Sequence, residues 1–255
     1  GTVAERGEDV EGFDVGDRVY GTGIGNGGFQ GAYAEYAAVP TDRVVELPDA
    51  ASMVEAGGAG VVACTAWRAL IDHANLNPAE HCLIHGGSGG VGHVAVQIAD
   101  AVSARTITTA DPSYHDTLSD LGAGTVLDYD GEDLADAIIE ASDGGADVIL
   151  DHRLDDYIQF DADVAAAEAI VVGIGENDPA PAFSGVAGAR AKDVRYQFMS
   201  MFNAPDLRVP LRGVAHLLSE GVSIEVARSY DLEEAAQAQR DVMNDSFLGK
   251  LVIEP

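Results

Sequence analysis

A run of glycines between a short apolar segment and an amphipathic segment constrains the fold of this chain more than any other feature. Residues 82–84 form an apolar run of strand type, and residues 86–92 read Gly-Gly-Ser-Gly-Gly-Val-Gly. Apolar residues then recur at helical spacing over residues 91–101, and residues 106–109 are typical of a second strand. The pattern predicts a strand, a tight turn, a helix and a second strand in succession.

Three glycines of this turn match a dinucleotide-binding fingerprint. Gly87 would permit the tight turn, Gly89 would let the backbone approach a pyrophosphate, and Gly92 would let helix and strand pack closely. The start of a helix favours phosphate because its first N–H groups are unpaired and its dipole is positive there. An acidic residue, Asp111, follows about 20 residues later at the end of the second strand. The alternative is a tight turn that binds no ligand.

The cofactor-binding residues predicted in this unit lie in the turn and at the end of the second strand. They are Gly87, Ser88, Gly89, Gly90, Val91, Gly92, Ala110 and Asp111.

Strands and helices go on alternating along the chain. Strand-type runs occur at residues 125–129, 146–151 and 169–175, and helical segments are predicted at residues 133–141 and 161–168. These runs do not alternate polar and apolar residues, which indicates an α/β fold with a parallel, doubly wound sheet. Ligands bind beyond the carboxyl ends of the strands in such sheets. This rule adds further residues to the same rim: Tyr129, His152, Ile174, Gly175 and residues 176–177.

The chain is strongly acidic. Asp and Glu total 43 against 14 Lys and Arg, a formal net charge of −29, and the lysines are Lys192 and Lys250. Nucleic acids and anionic membranes are bound through cationic side chains, so this composition argues against both as partners. At ~1 M salt the Debye length is only ~3 Å, so like charges hardly repel one another. We therefore expect a salt-adapted cytoplasmic protein, the alternative being an ordinary acidic enzyme.

The sequence predicts no membrane segment, secretion signal or disulfide framework. The apolar runs fall short of the ~18 residues that span a bilayer, and no charged and apolar leader opens the chain. Cys64 and Cys82 lie in apolar surroundings and are interpreted as buried hydrophobic residues. The seven histidines lack metal-ligand spacing, so no metal site is predicted.

The motifs together resemble one known family. HGGSGGVGHVAVQIA, preceded by ACTAWRALID and followed by LGAGTVLDY, is similar to the zinc-independent quinone oxidoreductase (zeta-crystallin-like) branch of the medium-chain dehydrogenase/reductase superfamily. The resemblance continues through ADVILDH, VVGIG and the terminal FLGKLVIEP, so it covers essentially the whole chain. It implies a Rossmann doubly wound parallel sheet together with a partial GroES-like β domain.

The resemblance divides the chain into three parts. Residues 1–48, which read as short strands that include residues 32–40, resemble the second half of a GroES-like catalytic domain. Residues 49–200 resemble the Rossmann dinucleotide-binding domain, and residues 201–255 a segment that returns to the catalytic domain. The first half of the GroES-like domain is missing, either because the chain is a fragment or because the protein is natively short. The glycine-rich residues 23–31 could be mistaken for a phosphate loop, but no helix pattern follows them.

The resemblance also implies roles for residues outside the glycine turn. In this family the threonine that matches Thr65 lies beside the nicotinamide, and backbone near Phe198 and Met199 holds the carboxamide. Lys250 is implied to lie near the cofactor. Zinc-dependent relatives carry a cysteine where this chain has Val61, which implies that no metal is bound.

The activity that the resemblance implies is hydride transfer from NAD(P)H to a quinone or an α,β-unsaturated carbonyl. Family members of this type mostly use NADPH, but here the family's lysine falls on Tyr114 or His115, and Asp111 stands at the strand end. A carboxylate accepts hydrogen bonds from a ribose 2′-OH and repels a 2′-phosphate, which favours NADH. Asp111, followed by Pro112, would otherwise only cap the next helix.

The sequence assigns no side chain as a catalytic acid or base. His152 invites that role because imidazole titrates near neutrality, but we favour a structural role for it. One alternative function is a nucleotide-binding protein without catalysis, as in the crystallins of this family. A weaker one is an alcohol dehydrogenase, which would need the zinc ligand that Val61 replaces. We expect a homodimer that acts on a small molecule.

Overall fold

The computed structural model describes residues 1–24 and 31–255, which divide into two compact units. The first unit comprises Gly1–Cys64 and Met201–Pro255, and the second comprises Thr65–Ser200. The glycine-rich segment considered as a phosphate loop, residues 23–31, lies mostly outside the described residues. The predicted dinucleotide turn belongs to the second unit.

The strands are short, and most of them lie in the second unit. In chain order they are β1 (Val19–Gly21), β2 (Val44–Glu46), β3 (His81–Ile84), β4 (Arg105–Ala110), β5 (Thr125–Asp128), β6 (Ala146–Asp151), β7 (Ala165–Gly173), β8 (Arg195–Phe198), β9 (Val226–Asp231) and β10 (Lys250–Glu254).

The helices alternate with these strands. They are α1 (Met53–Trp67), which a π-helical turn at Arg68–His73 continues, α2 (Gly92–Ala101), α3 (His115–Asp120), α4 (Leu134–Ala141), α5 (Leu154–Val164), α6 (Ala187–Ala191), α7 (Arg208–Ser219) and α8 (Ala235–Asn244). Short 3-10 turns lie at Thr41–Arg43, Pro112–Tyr114, Met201–Asn203 and Leu232–Glu234.

The second unit is built on a six-stranded parallel sheet with the strand order β5-β4-β3-β6-β7-β8. The chain starts at β3, moves outward through β4 and β5, and then returns to the other side of β3 with β6. The carboxyl end of β3 therefore lies where the strand order reverses, which is where such sheets bind ligands. The predicted doubly wound Rossmann sheet is confirmed.

One row of apolar residues crosses the middle of this sheet. Leu83 is in register with Ile107 on one side and with Ile149 on the other, and Ile149 is in register with Val171. All four are at most 2% exposed and pack in one cluster with Ile138 of α4. Burial of such a side chain stabilises a fold by ~1.5–3 kcal/mol, so this row fixes the register of the sheet.

Helix α2 packs on β3 and β4, and its first residue ends the glycine turn. The predicted apolar stripe is buried at Val94, Ala95 and Ile98, as expected. Ala101, which was predicted to belong to this stripe, is exposed. The polar residue His93, which was not predicted to belong to it, is buried. The helix is therefore covered on most sides, and its start cannot shift freely.

The predicted helix at residues 161–168 is wrong. The structure has α5 at residues 154–164, and β7 begins at Ala165. Alanine favours a helix by propensity, but Ala165 is paired with Ala146 of β6, and sheet pairing overrides the local preference. The helix begins early because Asp155 and Asp156 occupy its first turn, where negative charge is favourable.

In the first unit β1 and β2 pair antiparallel, and β9 and β10 pair parallel. The hydroxyl group of Tyr20 on β1 donates a hydrogen bond to the carbonyl oxygen of Leu211 on α7. Residues 32–40 were predicted as a strand, but they form none and are largely exposed. Within the described part of the chain no strand pairs with this segment, and an extended segment without a partner leaves its backbone groups to solvent.

One helical stretch, Met53–His73, is long and apolar enough to cross a membrane by length and composition, which the sequence analysis did not expect. Within its most apolar window 67% of the residues are buried inside the protein. A core helix of a globular protein has this character.

Candidate cofactor-binding site

The glycine turn joins β3 to α2 at the carboxyl edge of the sheet. Gly86 has a φ angle of +67°, in the left-handed region that favours glycine. The N–H group of Gly86 donates to Oγ1 of Thr109 at 3.1 Å, and the N–H group of Gly87 donates to the Thr109 carbonyl oxygen at 2.8 Å. We assigned the tight turn to Gly87 from the sequence, but it is Gly86 that adopts the left-handed conformation.

The fingerprint glycines have different surroundings. A Cβ atom on Gly87 would lie 2.2 Å from Oγ1 of Thr108, and one on Gly92 would lie 2.1 Å from the carbonyl oxygen of Gly86. Both glycines are buried, so they let the strands and α2 pack closely. Gly89 is exposed, and a Cβ atom there would approach only the Gly86 carbonyl oxygen among the described atoms, at 3.2 Å. Gly89 therefore leaves room on the solvent side of the turn.

A cavity of about 410 Å³ opens beside the turn, entirely within the second unit. It combines the N-terminus of α2, which favours an anion, with apolar walls, and this combination suits a ligand that has both a phosphate group and an apolar part. The residues that line it come from the turn and from the ends of the neighbouring strands: His85, Gly86, Ser88, Gly89, Gly90, Val91, Gly92, Thr109, Ala110, Tyr129, Leu150, His152, Arg153, Tyr157 and Ile174.

Many of the residues predicted from the sequence meet in this cavity. Gly87 packs beneath the turn, Gly175 follows β7, and Asp111 and Tyr114 follow β4 outside the lining. That these residues hold a cofactor stays a prediction. The predicted residues that line the cavity are Ser88, Gly89, Gly90, Val91, Gly92, Ala110, Tyr129 and Ile174.

Asp111 caps the 3-10 turn that follows β4. Its Oδ1 accepts hydrogen bonds from the N–H group of Ser113 at 2.9 Å and from the Ser113 hydroxyl at 2.5 Å. These hydrogen bonds hold the pKa of Asp111 below its usual value, so its carboxylate is charged at neutral pH. Desolvation, followed by the charges of Asp130 and Asp111, raises the pKa of Tyr129. The cavity edge beside β4 is therefore acidic.

A buried histidine lies directly before the turn. His85 is 3% exposed, its Nε2 lies 2.8 Å from Oδ1 of Asp161 on α5, and its ring stacks on Tyr157 with the ring centroids 4.3 Å apart. Burial lowers the pKa of His85 to about 4 and raises the pKa of Asp161. Both shifts favour the uncharged forms, so the two side chains form a neutral hydrogen-bonded pair.

Asp151, at the end of β6, completes this buried cluster. Its Oδ1 accepts a hydrogen bond from the N–H group of Arg153 at 2.6 Å. The Oδ2 atoms of Asp151 and Asp161 are buried without a hydrogen-bond partner among the described residues. Burial, followed by repulsion from Asp161, raises the pKa of Asp151. A proton shared by the two carboxyl groups would supply the missing donor and would remove a buried negative charge.

Two consecutive residues after β6 reach the cavity. The imidazole of His152 lies over Gly86, where a Cβ atom would be 2.6 Å from its Cε1. Burial, followed by His85 and Arg153, lowers the pKa of His152, so it is neutral at physiological pH. Arg153 also lines the cavity, and it is not among the residues predicted from the sequence. Its position two residues after the predicted strand was a usable signal, because the carboxyl ends of these strands form the site.

The other residues that the resemblance pointed to lie elsewhere. Thr65 belongs to α1 and is 9% exposed. Phe198 ends β8 and is 59% exposed, and the N–H group of Met199 donates to the carbonyl oxygen of Gly173 at 3.0 Å. Lys250 begins β10 in the first unit, and burial lowers its pKa. None of these four predicted residues lines the cavity, and their roles stay predictions.

The cysteines and the other possible ligands in the described part of the chain do not fit a zinc site. Cys64 and Cys82 are free and fully buried, as predicted. Burial raises the pKa of the Cys64 thiol to about 12 and raises that of Cys82 as well, whereas zinc binds thiolates. Across residues 1–24 and 31–255 no group of three or more His, Cys, Asp or Glu side chains could hold a metal ion.

Two family models match the chain. The model of the alcohol dehydrogenase GroES-like domain matches residues 1–49, and the model of the zinc-binding dehydrogenase family matches residues 121–253, which is more than half of the chain. The chain belongs to the medium-chain dehydrogenase/reductase superfamily. The superfamily that we inferred from the glycine turn and its flanking motifs is confirmed.

Known members of very different length are similar to this chain. It is 32% identical over 266 residues to a phenolphthiocerol/phthiocerol polyketide synthase of Mycobacterium tuberculosis, an alignment that covers 99% of this chain and 12% of that protein. It is 29% identical over 262 residues to quinone oxidoreductase of Lama guanicoe, which covers 99% of this chain and 77% of that protein. The predicted quinone oxidoreductase-like branch is confirmed. The chain nevertheless spans only a small part of the polyketide synthase.

The fold is also found in solved structures. An alcohol dehydrogenase superfamily protein from Novosphingobium aromaticivorans matches with a TM-score of 0.90 and 30% sequence identity, over 99% of this chain and 79% of that chain. The predicted combination of a Rossmann sheet with a GroES-like segment is therefore the fold of this superfamily.

Proposed function

We propose that this protein transfers a hydride from a nicotinamide cofactor to a quinone or an α,β-unsaturated carbonyl compound without a metal. The observation that carries the proposal is the exposed Gly89 beside a cavity at the start of α2. Membership of the superfamily and similarity to a quinone oxidoreductase support this reaction class.

The residues of the cavity would bind and orient rather than react. The backbone at Gly89 and the N-terminus of α2 would hold the pyrophosphate, because a side chain is absent there and the helix dipole favours negative charge. Apolar walls at Leu150 and Ile174 would exclude water from the bound cofactor. The cofactor supplies the hydride, and the protein supplies its position and a dry environment.

The available donor groups and the chemistry of the acceptor support the proposal that no metal takes part. Cys64 and Cys82 are buried thiols, and Val61 stands at the position of a zinc ligand in zinc-dependent relatives. A conjugated acceptor delocalises the incoming charge onto its carbonyl oxygen, so it needs a Lewis acid less than an alcohol does. Treatment with a strong chelator should leave the rate unchanged, and a loss of activity that zinc restores would contradict this part of the proposal.

We propose that NADH is the preferred cofactor. Asp111 keeps a charged carboxylate at the edge beside β4, close to Asp130 and Tyr129. The 2′-phosphate of NADPH would meet negative charge there, whereas the ribose 2′-OH of NADH can donate to a carboxylate. Asp111 also caps the turn through Oδ1, and the two roles are compatible because a carboxylate has two oxygen atoms.

The experiment is to measure oxidation of NADH and NADPH, with a quinone and with an enone, at the lowest KCl concentration at which the protein stays folded, because concentrated salt would screen the charge of Asp111. In Asp111→Ser the ratio of kcat/KM for NADH to that for NADPH should fall by about tenfold, which corresponds to ~1.4 kcal/mol. Asp120→Ser, at the exposed end of α3, is the control with the same change in charge. Equal shifts in both variants would show that Asp111 is a cap without a role in cofactor choice.

The same assay separates the main proposal from its alternative. Binding of NADH without oxidation by either acceptor class would indicate a nucleotide-binding protein that lacks catalysis.

We further propose that the protein works in the cytoplasm as a homodimer. Light scattering at high salt measures the mass in solution, for which one chain contributes 26.4 kDa.

A further inference from the structure

Arg153 lines the cavity, and its charged side chain has a role beyond those proposed above for the glycine turn, the apolar walls and Asp111. Among the described residues that line the cavity, it alone carries a permanent positive charge. Burial is the main cause of the raised pKa of the neighbouring Tyr157, Arg153 acts against it, and the nearby carboxyl groups of Asp156 and Asp130 raise it further, so acidic side chains lie close to Arg153. In a chain with 43 acidic and 14 basic residues, a cation beside a predicted phosphate-binding turn indicates an anionic ligand.

The backbone of Arg153 is fixed from several directions. Its N–H group donates to Oδ1 of Asp151 at 2.6 Å. Its carbonyl oxygen accepts from the N–H groups of Asp156 at 2.9 Å and Tyr157 at 3.0 Å, at the start of α5. The side chain therefore projects from a rigid point at the end of β6, and rigid support reduces the entropy lost when a ligand binds.

The guanidinium of Arg153 forms one ion pair and still has N–H donors that could bind a ligand. One of its terminal nitrogens pairs with the carboxylate of Asp156, and the two side chains are 43% and 45% exposed. Its Nε is buried without a hydrogen-bond partner in the described part of the chain. A guanidinium has five N–H donors, so the ion pair with Asp156 orients the group and leaves donors for a second anion.

The strand order tells which part of a dinucleotide Arg153 would meet. β3 lies between β4 and β6, with Asp111 after β4 and Arg153 after β6. In the dinucleotide fold the acidic residue after the second strand binds the adenosine ribose, so the adenosine half lies on the β4 side. Arg153 is then on the opposite side of the turn. There it would face the pyrophosphate and the nicotinamide ribose, which NADH and NADPH share.

We propose that Arg153 is a cofactor-binding residue that pairs with the pyrophosphate of the bound dinucleotide, opposite the glycine turn. The proposal rests on the proposed function, because it needs a dinucleotide in this cavity. Arginine suits the role, since its planar fork forms two parallel N–H bonds to phosphate oxygens. Asp111 would then select the cofactor, whereas Arg153 would contribute equally to both.

The test is calorimetric titration of NADH, NADPH and ADP-ribose into four proteins at one fixed multimolar KCl concentration. The proteins are the wild type, Arg153→Gln, Arg153→Lys and the control Arg195→Gln, in which the replaced arginine lies on β8 outside the cavity and donates to the carbonyl oxygen of Glu168. Arg153→Gln should raise all three Kd values by about tenfold and by the same factor. Arg153→Lys should have an intermediate effect, and Arg195→Gln should have none.

The outcomes separate this proposal from the proposed function. Unchanged Kd values in both Arg153 variants, with normal binding by the wild type, would show that Arg153 only pairs with Asp156, and the proposed function would stand. A loss confined to NADPH would assign Arg153 to the 2′-phosphate and overturn the pyrophosphate role. A wild type that binds none of the three ligands would overturn the proposed function as well. If Arg153→Gln does not fold, the Arg153→Lys titration decides.

Discussion

Alanine at Gly92 should lower the stability of the fold, whereas alanine at Gly89 should lower the affinity for the cofactor. Gly89→Ala should leave the stability nearly unchanged. The two residues lie in the same turn, three positions apart, and the added atom is the same methyl group. The contrast therefore tests the separate roles that the structure indicates for them.

The magnitudes follow from what each new Cβ atom would meet. At Gly92 it would lie 2.1 Å from the Gly86 carbonyl oxygen and 2.8 Å from the Cα atom of Gly87. Backbone must move by more than an ångström to restore van der Waals contact, and α2 is buried on most sides. Such overpacking costs ~1–3 kcal/mol, and each kcal/mol lowers Tm by roughly 2–4 °C. At Gly89 the new Cβ atom would lie 3.2 Å from the Gly86 carbonyl oxygen, so the turn must move by only a few tenths of an ångström, and the cost should stay below ~1 kcal/mol.

Circular dichroism melts and NADH titrations of both variants decide the question. We expect the Tm of Gly89→Ala to lie within a few degrees of the wild-type Tm. The variant should bind NADH at least tenfold more weakly, a difference of ~1.4 kcal/mol. Gly89→Val, with its larger side chain, should raise the Kd for NADH further. Wild-type affinity in both Gly89 variants would refute the cofactor role of the turn. A wild-type Tm in Gly92→Ala would refute the packing argument.

Two further predictions concern salt and pH. The Tm should rise with KCl concentration, because screening removes the repulsion within a chain of net charge −29, and an equal Tm in dilute and multimolar KCl would contradict this. Between pH 6.5 and 8.5 the stability of the wild type should fall as pH rises, by up to ~1.4 kcal/mol per pH unit. The slope should be smaller in Asp161→Asn, whose amide supplies a donor at any pH. Equal slopes in denaturant titrations would argue against a shared proton.

The sign of the pH effect comes from the direction of the pKa shifts. The raised pKa values of Asp151 and Asp161 mean that the folded protein keeps a proton which the unfolded chain loses near pH ~4. Stability from this proton is present below the unfolded pKa and is lost as pH rises through the folded pKa. His85 acts in the opposite direction, because its lowered pKa costs stability only below pH ~6.5. The chosen window therefore isolates the carboxyl pair.

The strand-turn-helix unit was predictable because its signals are local. The apolar strand, the spacing of Gly87, Gly89 and Gly92, and the period of α2 all lie within about one supersecondary unit. The helix before β7 was misplaced because Ala165 owes its strand conformation to pairing with β6, which local propensity does not contain. Residues 32–40 show the reverse case, since a strand-like pattern gives no strand without a neighbour.

The buried cluster behind the turn was out of reach of sequence reasoning for the same physical reason. His85 and Asp161 are 76 positions apart, and each alone reads as an ordinary polar residue. The sheet brings the ends of β3 and β6 side by side, and α5 then places Asp161 against both. Only this juxtaposition removes water from the carboxyl groups and makes a shared proton favourable.

This cluster connects the two segments that border the cavity. Asp161 contacts His85, the residue before the glycine turn, and Asp151 holds the backbone of Arg153 on the other side. A change in the protonation of the pair would therefore act on the turn and on Arg153 together, because both depend on the same two carboxyl groups. A surface ion pair would couple them only weakly in concentrated salt, since exposed charges are strongly screened there. Buried hydrogen-bonded groups are screened by salt much less than exposed charges, which suits a site in so acidic a chain.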